Sequence, residues 1–488
     1  MGSYDIIVVG GGTAGLVTAA GSAGIGARVA LIERERLGGE CLWNGCVPSK
    51  ALIAAARAAH DSRDSARLGV CSSAPDVDFG RVMQWVRDAQ ARIAPNDSPE
   101  RFRGLGVDVI EGEGRFTGER TLSVGGRTVT ARRVVVATGS APAVPPIDGL
   151  VDVKYHTNET IFSLPHQPAT LLVLGGGPIG LEFAQAFARL GTTVHVLEAA
   201  PQLLPREDHE LASLLGERLT EEGVHLHLGA TVVRVERAGH AGSVRNGGSD
   251  GTRVRIVATT GPGGRAGESL TLEGDALLVA TGRSPRLQSL ELAKGNVDAG
   301  KGGVTVDDSL RTTAEGVWAA GDCVGPLRFT HVADYQARLV IRNAFFPFHG
   351  KADYSAVPWV TFTEPELAHV GLTEEEARQA HGDRVRVWRR SFADVDRAIT
   401  DGQTHGLVKL VTTPRGKILG GHILGHGAGN MIGEITLAMK HGISATALGN
   451  TMHPYPTYPE AIRHAADAFT KSRFSGVVKQ AVNWYVRR

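Results

Sequence analysis

The chain has 488 residues, more than one hydrophobic core usually accommodates, and this length predicts three or four domains. The 52 basic and 51 acidic residues nearly cancel, which argues against a nucleic-acid partner or a basic membrane-binding surface. The chain has only four cysteines, and no signal peptide is recognisable before the first predicted strand. No apolar run approaches the roughly 18 residues that span a membrane. We therefore expect a cytoplasmic protein without stable membrane insertion.

A short apolar strand is predicted at residues 4–9, followed by a glycine-rich turn and an alanine-rich helix. Gly10, Gly12 and Gly15 form a G-x-G-x-x-G pattern in that turn, and Glu33 ends the next predicted strand. Such glycines let a pyrophosphate approach the helix N-terminus, while the acid binds a ribose hydroxyl. This segment therefore predicts a dinucleotide-binding unit.

Cys41 and Cys46 follow this unit directly, in the stretch Gly-Gly-Glu-Cys-Leu-Trp-Asn-Gly-Cys-Val-Pro-Ser-Lys that ends at Lys50. Two thiols held this close beside a redox cofactor can alternate between a disulfide and a dithiol. We expect a helix that starts near Cys41 and runs through residues 51–59. Its N-terminus, together with the charge of Lys50 one turn after Cys46, would stabilise a thiolate.

Two other interpretations of the cysteine pair remain open. The cysteines are either two buried free thiols or half of a metal site. The second is disfavoured because no histidine or further cysteine lies nearby to complete the ligand set. We therefore predict no metal site.

The strand–glycine–helix pattern returns after a predicted strand at residues 171–174. Gly175, Gly177 and Gly180 occupy the turn, and Glu198 ends the following strand. One G-x-G-x-x-G is weak evidence because glycine-rich turns are common, but two copies with matched strands and acids predict two dinucleotide sites. The chain is thus expected to contain an internal repeat.

Glu198 also bears on the choice of nicotinamide cofactor. A carboxylate at this place disfavours a 2′-phosphate, so we predict NADH rather than NADPH. Arg189 and Arg206 lie nearby in the sequence and leave NADPH open as the alternative.

The rest of the chain divides around this repeat. Residues 134–142 and 276–285 have similar apolar runs that end in glycine, and we interpret them as crossovers between the two nucleotide units. Glycine-rich stretches at 242–251 and 261–267 are typical of hairpin loops. After about residue 350 the pattern changes to β-rich segments followed by helices, which predicts a separate α+β domain.

The sequence resembles the class I pyridine nucleotide-disulfide oxidoreductases, the family of dihydrolipoamide dehydrogenase, glutathione reductase and mercuric reductase. The resemblance spans essentially the whole chain and is most specific in the cysteine segment, in the second fingerprint and in Ala320-Gly321-Asp322. It implies that FAD occupies the first fingerprint and NAD(P)H the second.

The resemblance also implies a fold. The expected class is α/β, with two Rossmann-like dinucleotide-binding domains and a C-terminal α+β dimerisation domain. The expected boundaries are 1–147 and 276–345 for the FAD-binding domain, 148–275 for the NAD(P)-binding domain and 346–488 for the dimerisation domain.

Several site residues follow from the same resemblance. Cys46 is implied to be the thiol next to the flavin and Cys41 the thiol that meets the substrate. Lys50, paired with Glu182, is implied to lie near the flavin, and Asp322 to bind the FAD ribityl chain. Further cofactor-binding residues predicted on this basis are Gly114, Thr138, Gly139, Ser140, Gly282, Arg283 and Gly321.

One position differs from the disulfide-reducing members of the family, which carry His-Pro-Thr-x-x-Glu near the C-terminus. In those enzymes the histidine comes from the partner subunit and protonates the leaving thiolate. Here Tyr455 takes its place and Glu460 is retained. A phenol with a pKa of about 10 is a poor proton shuttle at pH 7. His453 lies two residues away, and we interpret it as a structural histidine. Tyr455 and Glu460 together predict a homodimer.

Tyrosine at this position is what mercuric reductase shows, so the chain resembles that branch most. A soft metal ion bound between thiolates needs no proton donor. Mercuric reductases also carry a C-terminal cysteine pair, whereas residues 478–488 of this chain contain no cysteine. Metal delivery by such a pair is therefore not expected.

The leading prediction is a flavoprotein enzyme that passes electrons from NAD(P)H through FAD to the Cys41–Cys46 disulfide. The dithiol would then reduce a small thiol-reactive acceptor, either a disulfide or a soft metal ion such as Hg(II). One alternative is a diaphorase or quinone reductase, in which the flavin reduces the acceptor directly. A second is a non-catalytic flavoprotein that senses redox state through the cysteine pair.

Overall fold

The computed structural model describes residues 4–71, 73, 75–239, 253–261, 267–473 and 477–487 of the chain. The loop predicted at 242–251 lies outside the described residues, as does most of the loop predicted at 261–267. None of the helices within the described ranges is long and apolar enough to cross a membrane.

The first sheet is parallel, has five strands and is buried on both faces. Ile6 and Val8 pack into a cluster with two helices, while Ile7 and Val9 pack on the opposite face against a small antiparallel sheet. Burial on both faces is what a continuously apolar strand predicts. In spatial order the strands are Val317–Ala319, Val134–Val136, Ile6–Val9, Val29–Glu33 and Val107–Glu111.

The second sheet repeats this plan with four parallel strands. In spatial order they are Val224–Leu228, Thr193–Glu198, Thr170–Leu174 and Ala276–Val279. The last strand pairs with Thr170–Leu174, with Ala276 beside Leu171. Residues 276–279 therefore belong to the second nucleotide unit, whereas the predicted boundary assigned them to the FAD-binding domain. Its apolar sequence suits either parallel sheet, and only its pairing shows which sheet it joins.

Smaller antiparallel pairs and sheets connect and flank the two nucleotide units. The strands Ser140–Pro142 and Arg283–Pro285 pair with each other, so the two segments predicted as crossovers meet. The other strands are Gly114–Gly118, Thr121–Val124 and Arg127–Thr130 in one sheet, Ala230–Ala238, Arg253–Thr260 and Ser269–Gly274 in another, and the pair Ala299–Gly300 with Gly303–Val304.

The C-terminal part is an antiparallel sheet of five strands covered by helices, which is the α+β pattern expected after residue 350. In spatial order its strands are Pro358–Thr361, Glu366–Gly371, Ile418–Gly425, Leu407–Thr412 and Arg386–Ser391. Buried residues of this sheet and of the helices Ala428–Lys440 and Glu460–Ser472 share one core cluster.

The α-helices of the described residues complete the layers. In chain order they are Thr13–Gly24, Gly39–Trp43, Cys46–Asp64, Phe79–Ile93, Pro99–Gly104, Pro178–Leu190, His209–Glu221, Thr330–Phe345, Glu374–His381, Asp396–Asp401, Ala428–Lys440, Ala445–Gly449, Glu460–Ser472 and Val477–Val486.

The helix expected to start near Cys41 is interrupted before Cys46. Gly39–Trp43 forms a short helix, and Gly45, at φ −132° and ψ −110°, has a backbone conformation outside the helical region. The long helix therefore begins at Cys46. Its N-terminal end lies at the second cysteine of the pair and not at the first.

Candidate active site

Most of the predicted site residues line one cavity of about 1180 Å³. Small-molecule pockets usually measure about 300–1,000 Å³, so this cavity exceeds the range for one ligand. The predicted residues that line it are Gly10, Gly12, Glu33, Cys41, Cys46, Lys50, Thr138, Gly139, Ser140, Gly175, Gly177, Glu182, Glu198, Gly282, Arg283, Gly321 and Asp322.

Cys41 and Cys46 are both free thiols in this structure and both line the cavity. Cys46 is the first residue of the long helix, and its Sγ lies 3.4 Å from the Oγ1 of Thr330. Thr330 is itself the first residue of the helix Thr330–Phe345. The thiol of Cys46 thus lies between the N-terminal ends of two helices, where a negative charge is favoured.

The two thiols differ in acidity because one donates a hydrogen bond to the other. That bond from Cys41, aided by Thr330 and Lys50, lowers the pKa of Cys46 to about 6 against the opposing effect of burial. The same hydrogen bond, together with burial, raises the pKa of Cys41. At pH 7 Cys46 is therefore the thiolate and Cys41 keeps its proton.

Lys50 carries its positive charge at the cavity wall, one turn after Cys46. Its Nζ lies 2.8 Å from the Oε2 of Glu182 and 4.2 Å from the centre of the Phe362 ring. The other carboxylate oxygen of Glu182, which is buried, accepts a hydrogen bond from the backbone N–H of Phe362 at 2.9 Å. The predicted pairing of Lys50 with Glu182 is present in the structure.

Both glycine turns have the shape that a dinucleotide phosphate needs. Gly12 caps the helix Thr13–Gly24 and Gly177 caps Pro178–Leu190, in each case without a side-chain hydrogen bond. The first backbone N–H groups of these two helices are therefore open to the cavity, which is the arrangement that binds phosphate. The residues at both turns thus fit FAD and NAD(P)H.

Gly15 and Gly180 do not line the cavity, and they act in packing. A Cβ on Gly15 would lie 1.7 Å from the carbonyl oxygen of Gly10, and one on Gly180 would lie 2.0 Å from that of Gly175. The third glycine of each fingerprint thus lets the helix pack against the turn that precedes it.

Glu33 and Glu198 are held in matching ways at the ends of their strands. The Oε2 of Glu33 accepts from the N–H of Gly11 at 2.6 Å, and the Oε2 of Glu198 accepts from the N–H of Gly176 at 2.7 Å. These bonds aim both carboxylates into the cavity beside their turns, where ribose hydroxyls are expected.

Asp322 and Arg283 belong to one polar cluster. The Ser140 hydroxyl donates to Asp322 at 2.6 Å, and the Nε of Arg283 donates to the same hydroxyl at 2.8 Å. Arg283 also pairs with Glu40, whose pKa is raised by burial. Arg283 therefore bridges the crossover strands and the short helix that holds Cys41.

Gly114, Tyr455 and Glu460 do not line the cavity of their own chain. Gly114 starts a strand and packs against Val9 and Ile32. Tyr455 is 71% exposed and donates its hydroxyl to Asp396 at 2.8 Å, which raises the pKa of the phenol. Tyr455 and Glu460 stay candidates for a site that a second subunit would complete.

His453 is held on both sides of its ring. Its Nδ1 is 2.9 Å from the carbonyl oxygen of Thr451 and its Nε2 is 2.8 Å from a carboxylate oxygen of Glu434. Both nitrogens are engaged within the chain, which is compatible with a structural histidine, and that role stays a prediction.

Three residues beside the site have no signal in the sequence. Thr330 contacts Cys46, Phe362 contacts Lys50, and Trp359 lines the same cavity. Each lies far along the chain from the residue that it meets. No local spacing predicts such contacts, and only the packing of the C-terminal sheet and the Thr330–Phe345 helix onto the nucleotide units creates them.

Two family models match this chain. The one described as pyridine nucleotide-disulphide oxidoreductase matches residues 4–337. The one described as the dimerisation domain of the same family matches residues 357–466.

The chain is also similar to characterised proteins over nearly its full length. It is 35% identical over 470 residues to mercuric reductase from Bacillus cereus, which covers 96% of this chain and 72% of that protein. It is 35% identical over 480 residues to dihydrolipoyl dehydrogenase from Thermus scotoductus, which covers 96% of this chain and 98% of that protein.

The solved structure of the HOCl-induced flavoprotein disulfide reductase RclA from Escherichia coli superposes with a TM-score of 0.82 at 29% identity. The match covers 95% of this chain and 99% of that one. It agrees with the two-nucleotide-domain fold described above and confirms the predicted fold class.

These matches confirm the predicted enzyme class and the predicted use of FAD and NAD(P)H, which are properties of the family. They leave the electron acceptor and the choice between NADH and NADPH open. The chain belongs to the pyridine nucleotide-disulphide oxidoreductase family.

Proposed function

We propose that this oxidoreductase carries electrons from NAD(P)H through FAD to a Cys41–Cys46 disulfide, and from the resulting dithiol to a small thiol-reactive acceptor. The observation that supports this most directly is the place of the two thiols. Cys41 and Cys46 both line the cavity that the two nucleotide turns border, and Cys46 lies at the N-terminus of its helix beside Thr330.

FAD, when bound, supplies two-electron chemistry between the nicotinamide and the disulfide. The protein's side chains account for the proton. A hydride equivalent brings two electrons and one proton, which break the S–S bond and leave a thiolate on Cys46 and a thiol on Cys41. Lys50, held by Glu182, and Thr330 stabilise the thiolate. No further proton is needed at this stage.

The acceptor class that the site favours is a soft metal ion, ahead of an organic disulfide. Thiolates are the ligands that soft ions prefer, and Hg(II) bound by them would take up two electrons as the Cys41–Cys46 disulfide re-forms. The proton of Cys41 would go to solvent. An organic disulfide would instead need an acid for its leaving thiolate, and Tyr455 is poorly suited to that role.

The relatives support a panel that includes more than one ion. Mercuric reductase is among the similar proteins, and one RclA structure is described as a Cu(II) complex. We therefore propose Hg(II), one ion of which takes both electrons of the dithiol, and Cu(II), two ions of which take one electron each, as the first acceptors to test. Lipoamide-like disulfides and quinones serve for comparison.

NADH is the proposed electron donor. Both oxygens of Glu198 accept backbone hydrogen bonds, from Gly176 at 2.7 Å and from Ala200 at 2.8 Å. A carboxylate fixed in this way remains an acceptor for ribose hydroxyls and repels a 2′-phosphate. Arg189, considered above as a phosphate-binding residue, is buried and paired with Glu222 and Glu364. It is therefore not free to reverse this preference.

A homodimer is the proposed assembly, supported by the dimerisation domain at residues 357–466. We propose that Tyr455 and Glu460 of each subunit reach the partner's cavity, because neither lines the cavity of its own chain. A cytoplasmic location is also proposed, since a cycling dithiol suits a reducing compartment.

Replacement of one thiol tests the proposed route of electrons. Cys41→Ser is expected to lower acceptor reduction by about 100-fold, because the dithiol no longer forms, while NADH still reduces the flavin. Cys71→Ser is the matched control, because Cys71 is exposed and does not line the cavity. That variant should keep wild-type rates.

Two results would redirect the proposal. Unchanged acceptor reduction in Cys41→Ser would favour the diaphorase, in which the flavin reduces the acceptor directly. The redox sensor would be favoured if the wild-type protein consumed NADH no faster than its flavin is oxidised without catalysis, whichever acceptor of the panel is present.

A further inference from the structure

Arg206 is an exposed cation that lines the cavity and has no charged partner. Within the described residues its guanidinium makes no ion pair and no hydrogen bond. By contrast Lys50, Arg283 and Arg286, which line the same cavity, each pair with a carboxylate of the chain. Arg206 is thus available to bind an anion.

The segment that carries Arg206 is tied to the second fingerprint. The backbone N–H of Leu204 donates to the carbonyl oxygen of Gly176 at 3.0 Å. The N–H of the same glycine donates to Glu198 at 2.7 Å. Arg206, two residues after Leu204, therefore belongs to the NAD(P)H end of the cavity.

Trp359 gives the guanidinium a fixed surface. The guanidinium carbon of Arg206 lies 4.9 Å from the centre of the indole ring. The indole Nε1 donates to Glu207 at 2.5 Å, and the ring stacks on His369 at 3.8 Å between centres. His369 is itself buried. His369 thus holds one face of the indole ring and Glu207 holds its edge.

A guanidinium that rests on an aromatic face keeps its N–H edges free. Stacking and hydrogen bonding use different parts of the planar group, so Arg206 can bind an anion and remain on Trp359. Guanidinium N–H groups match the geometry of phosphate oxygens particularly well. The anions expected in this half of the cavity are those of the nicotinamide dinucleotide.

We propose that Arg206, positioned by Trp359, binds a phosphate group of NAD(P)H. This rests on the proposed function, which assigns the second fingerprint to NAD(P)H. The phosphate is either the pyrophosphate, which both dinucleotides carry, or the 2′-phosphate of NADPH. Arg206 is the binding residue, and Trp359 is a positioning residue that acts through it.

Direct binding to the oxidised, FAD-loaded enzyme tests the proposal. The dissociation constants of NAD⁺ and NADP⁺ would be measured by titration calorimetry for the wild type, Arg206→Gln, Trp359→Leu, Trp359→Phe and the double variant Arg206→Gln/Trp359→Leu. Arg206→Gln should weaken binding by about tenfold, as expected for loss of one charge-assisted contact. Trp359→Leu should weaken it about threefold, and Trp359→Phe, which keeps a ring, less than twofold.

The double variant separates a positioning role from an independent one. If Trp359 acts through Arg206, the double variant binds no more weakly than Arg206→Gln alone. Arg255→Gln is the matched control, since it removes a half-exposed arginine that pairs with Glu273 in the same part of the chain and does not line the cavity. It should bind like the wild type.

The two dinucleotides identify the phosphate. Equal losses for NAD⁺ and NADP⁺ in Arg206→Gln would indicate the pyrophosphate, and a loss for NADP⁺ alone would indicate the 2′-phosphate. The inference would be overturned if Arg206→Gln bound NAD⁺ and NADP⁺ as tightly as the wild type does, whether or not Trp359→Leu bound them more weakly. In that case NADH would still reduce the flavin, so the proposed function would stand. A wild-type protein whose flavin neither NADH nor NADPH reduces would overturn the proposed function itself.

Discussion

At the scale of single residues, Cys41 and Cys46 are chemically different although both are thiols of one pair. Cys46 begins a helix, accepts a hydrogen bond from Cys41 and lies near the charge of Lys50. Cys41 donates that bond and is half-buried, and both effects raise its pKa, so it keeps its proton. The groups around each sulfur therefore set the different acidities of the two thiols.

The charge on Cys46 gives a pH-dependent signal. Its pKa is lowered to about 6, so the thiolate should be present above pH 6 and lost as the pH falls below that value. In the reduced enzyme, long-wavelength absorbance from a thiolate beside FAD should fade with a midpoint near pH 6. The measurement is a spectrophotometric pH titration under anaerobic conditions.

A variant assigns the cause of this shift. Cys41→Ala removes the hydrogen-bond donor that lowers the pKa of Cys46 most, so the midpoint should rise toward the ordinary thiol value of about 8.5. Cys46→Ser should show no such absorbance at any pH. A midpoint that stays near pH 6 in Cys41→Ala would assign the shift to Lys50 and Thr330 instead.

At the scale of elements, the doubled strand–turn–helix unit was the most predictable part of the chain. Its glycines and strand-end acids are local, and their spacing alone places a phosphate at a helix N-terminus. The contact of Thr330 with Cys46 was not predictable, because it depends on how a distant helix packs. The long helix starts later than predicted, because Asn44-Gly45 is a turn signal and Pro48 suits the first turn of a new helix, and the prediction gave neither any weight.

The close packing of Gly15 gives a prediction for the first unit. Gly15→Ala should displace the helix Thr13–Gly24 from its turn, because the new Cβ would lie 1.7 Å from the carbonyl oxygen of Gly10. We expect the purified variant to contain much less FAD than the wild type, measured as the ratio of flavin to protein absorbance.

Gly24→Ala is the control within the same helix, since a Cβ there meets nothing within 4 Å. Alanine is also favoured over glycine in a helix by about 1 kcal/mol. This variant should keep full flavin content. Equal flavin content in Gly15→Ala and Gly24→Ala would contradict the packing role of Gly15.

At the scale of the whole molecule, the cavity described here is incomplete with respect to two predicted residues. Tyr455 and Glu460 lie on the C-terminal part and do not reach the cavity of their own chain. In a two-fold symmetric dimer each subunit would supply them to the other. The sequence could indicate this only through the family resemblance, because local spacing does not show which surfaces of two chains meet.

Mixed dimers test the shared site. Cys41→Ser and Glu460→Gln chains, each expected to be nearly inactive alone, would be co-expressed with different affinity tags and purified together. Each mixed dimer should have one intact site, formed by Cys41 of one chain and Glu460 of the other. The purified mixed dimer should therefore recover about half of wild-type activity, and an unselected random mixture of the two chains about a quarter. If the mixed dimer recovered no activity, Cys41 and Glu460 of one and the same chain would form each site.

The order of the strands in the first sheet has a consequence for synthesis. The edge strand Val317–Ala319 joins Val134–Val136, yet the whole second sheet is encoded between them. On a ribosome that adds about 5–20 residues per second, the first sheet would wait roughly ten to forty seconds for its last strand. During that interval the edge of Val134–Val136 lacks its partner, and an unpaired strand edge is open to pairing with another chain.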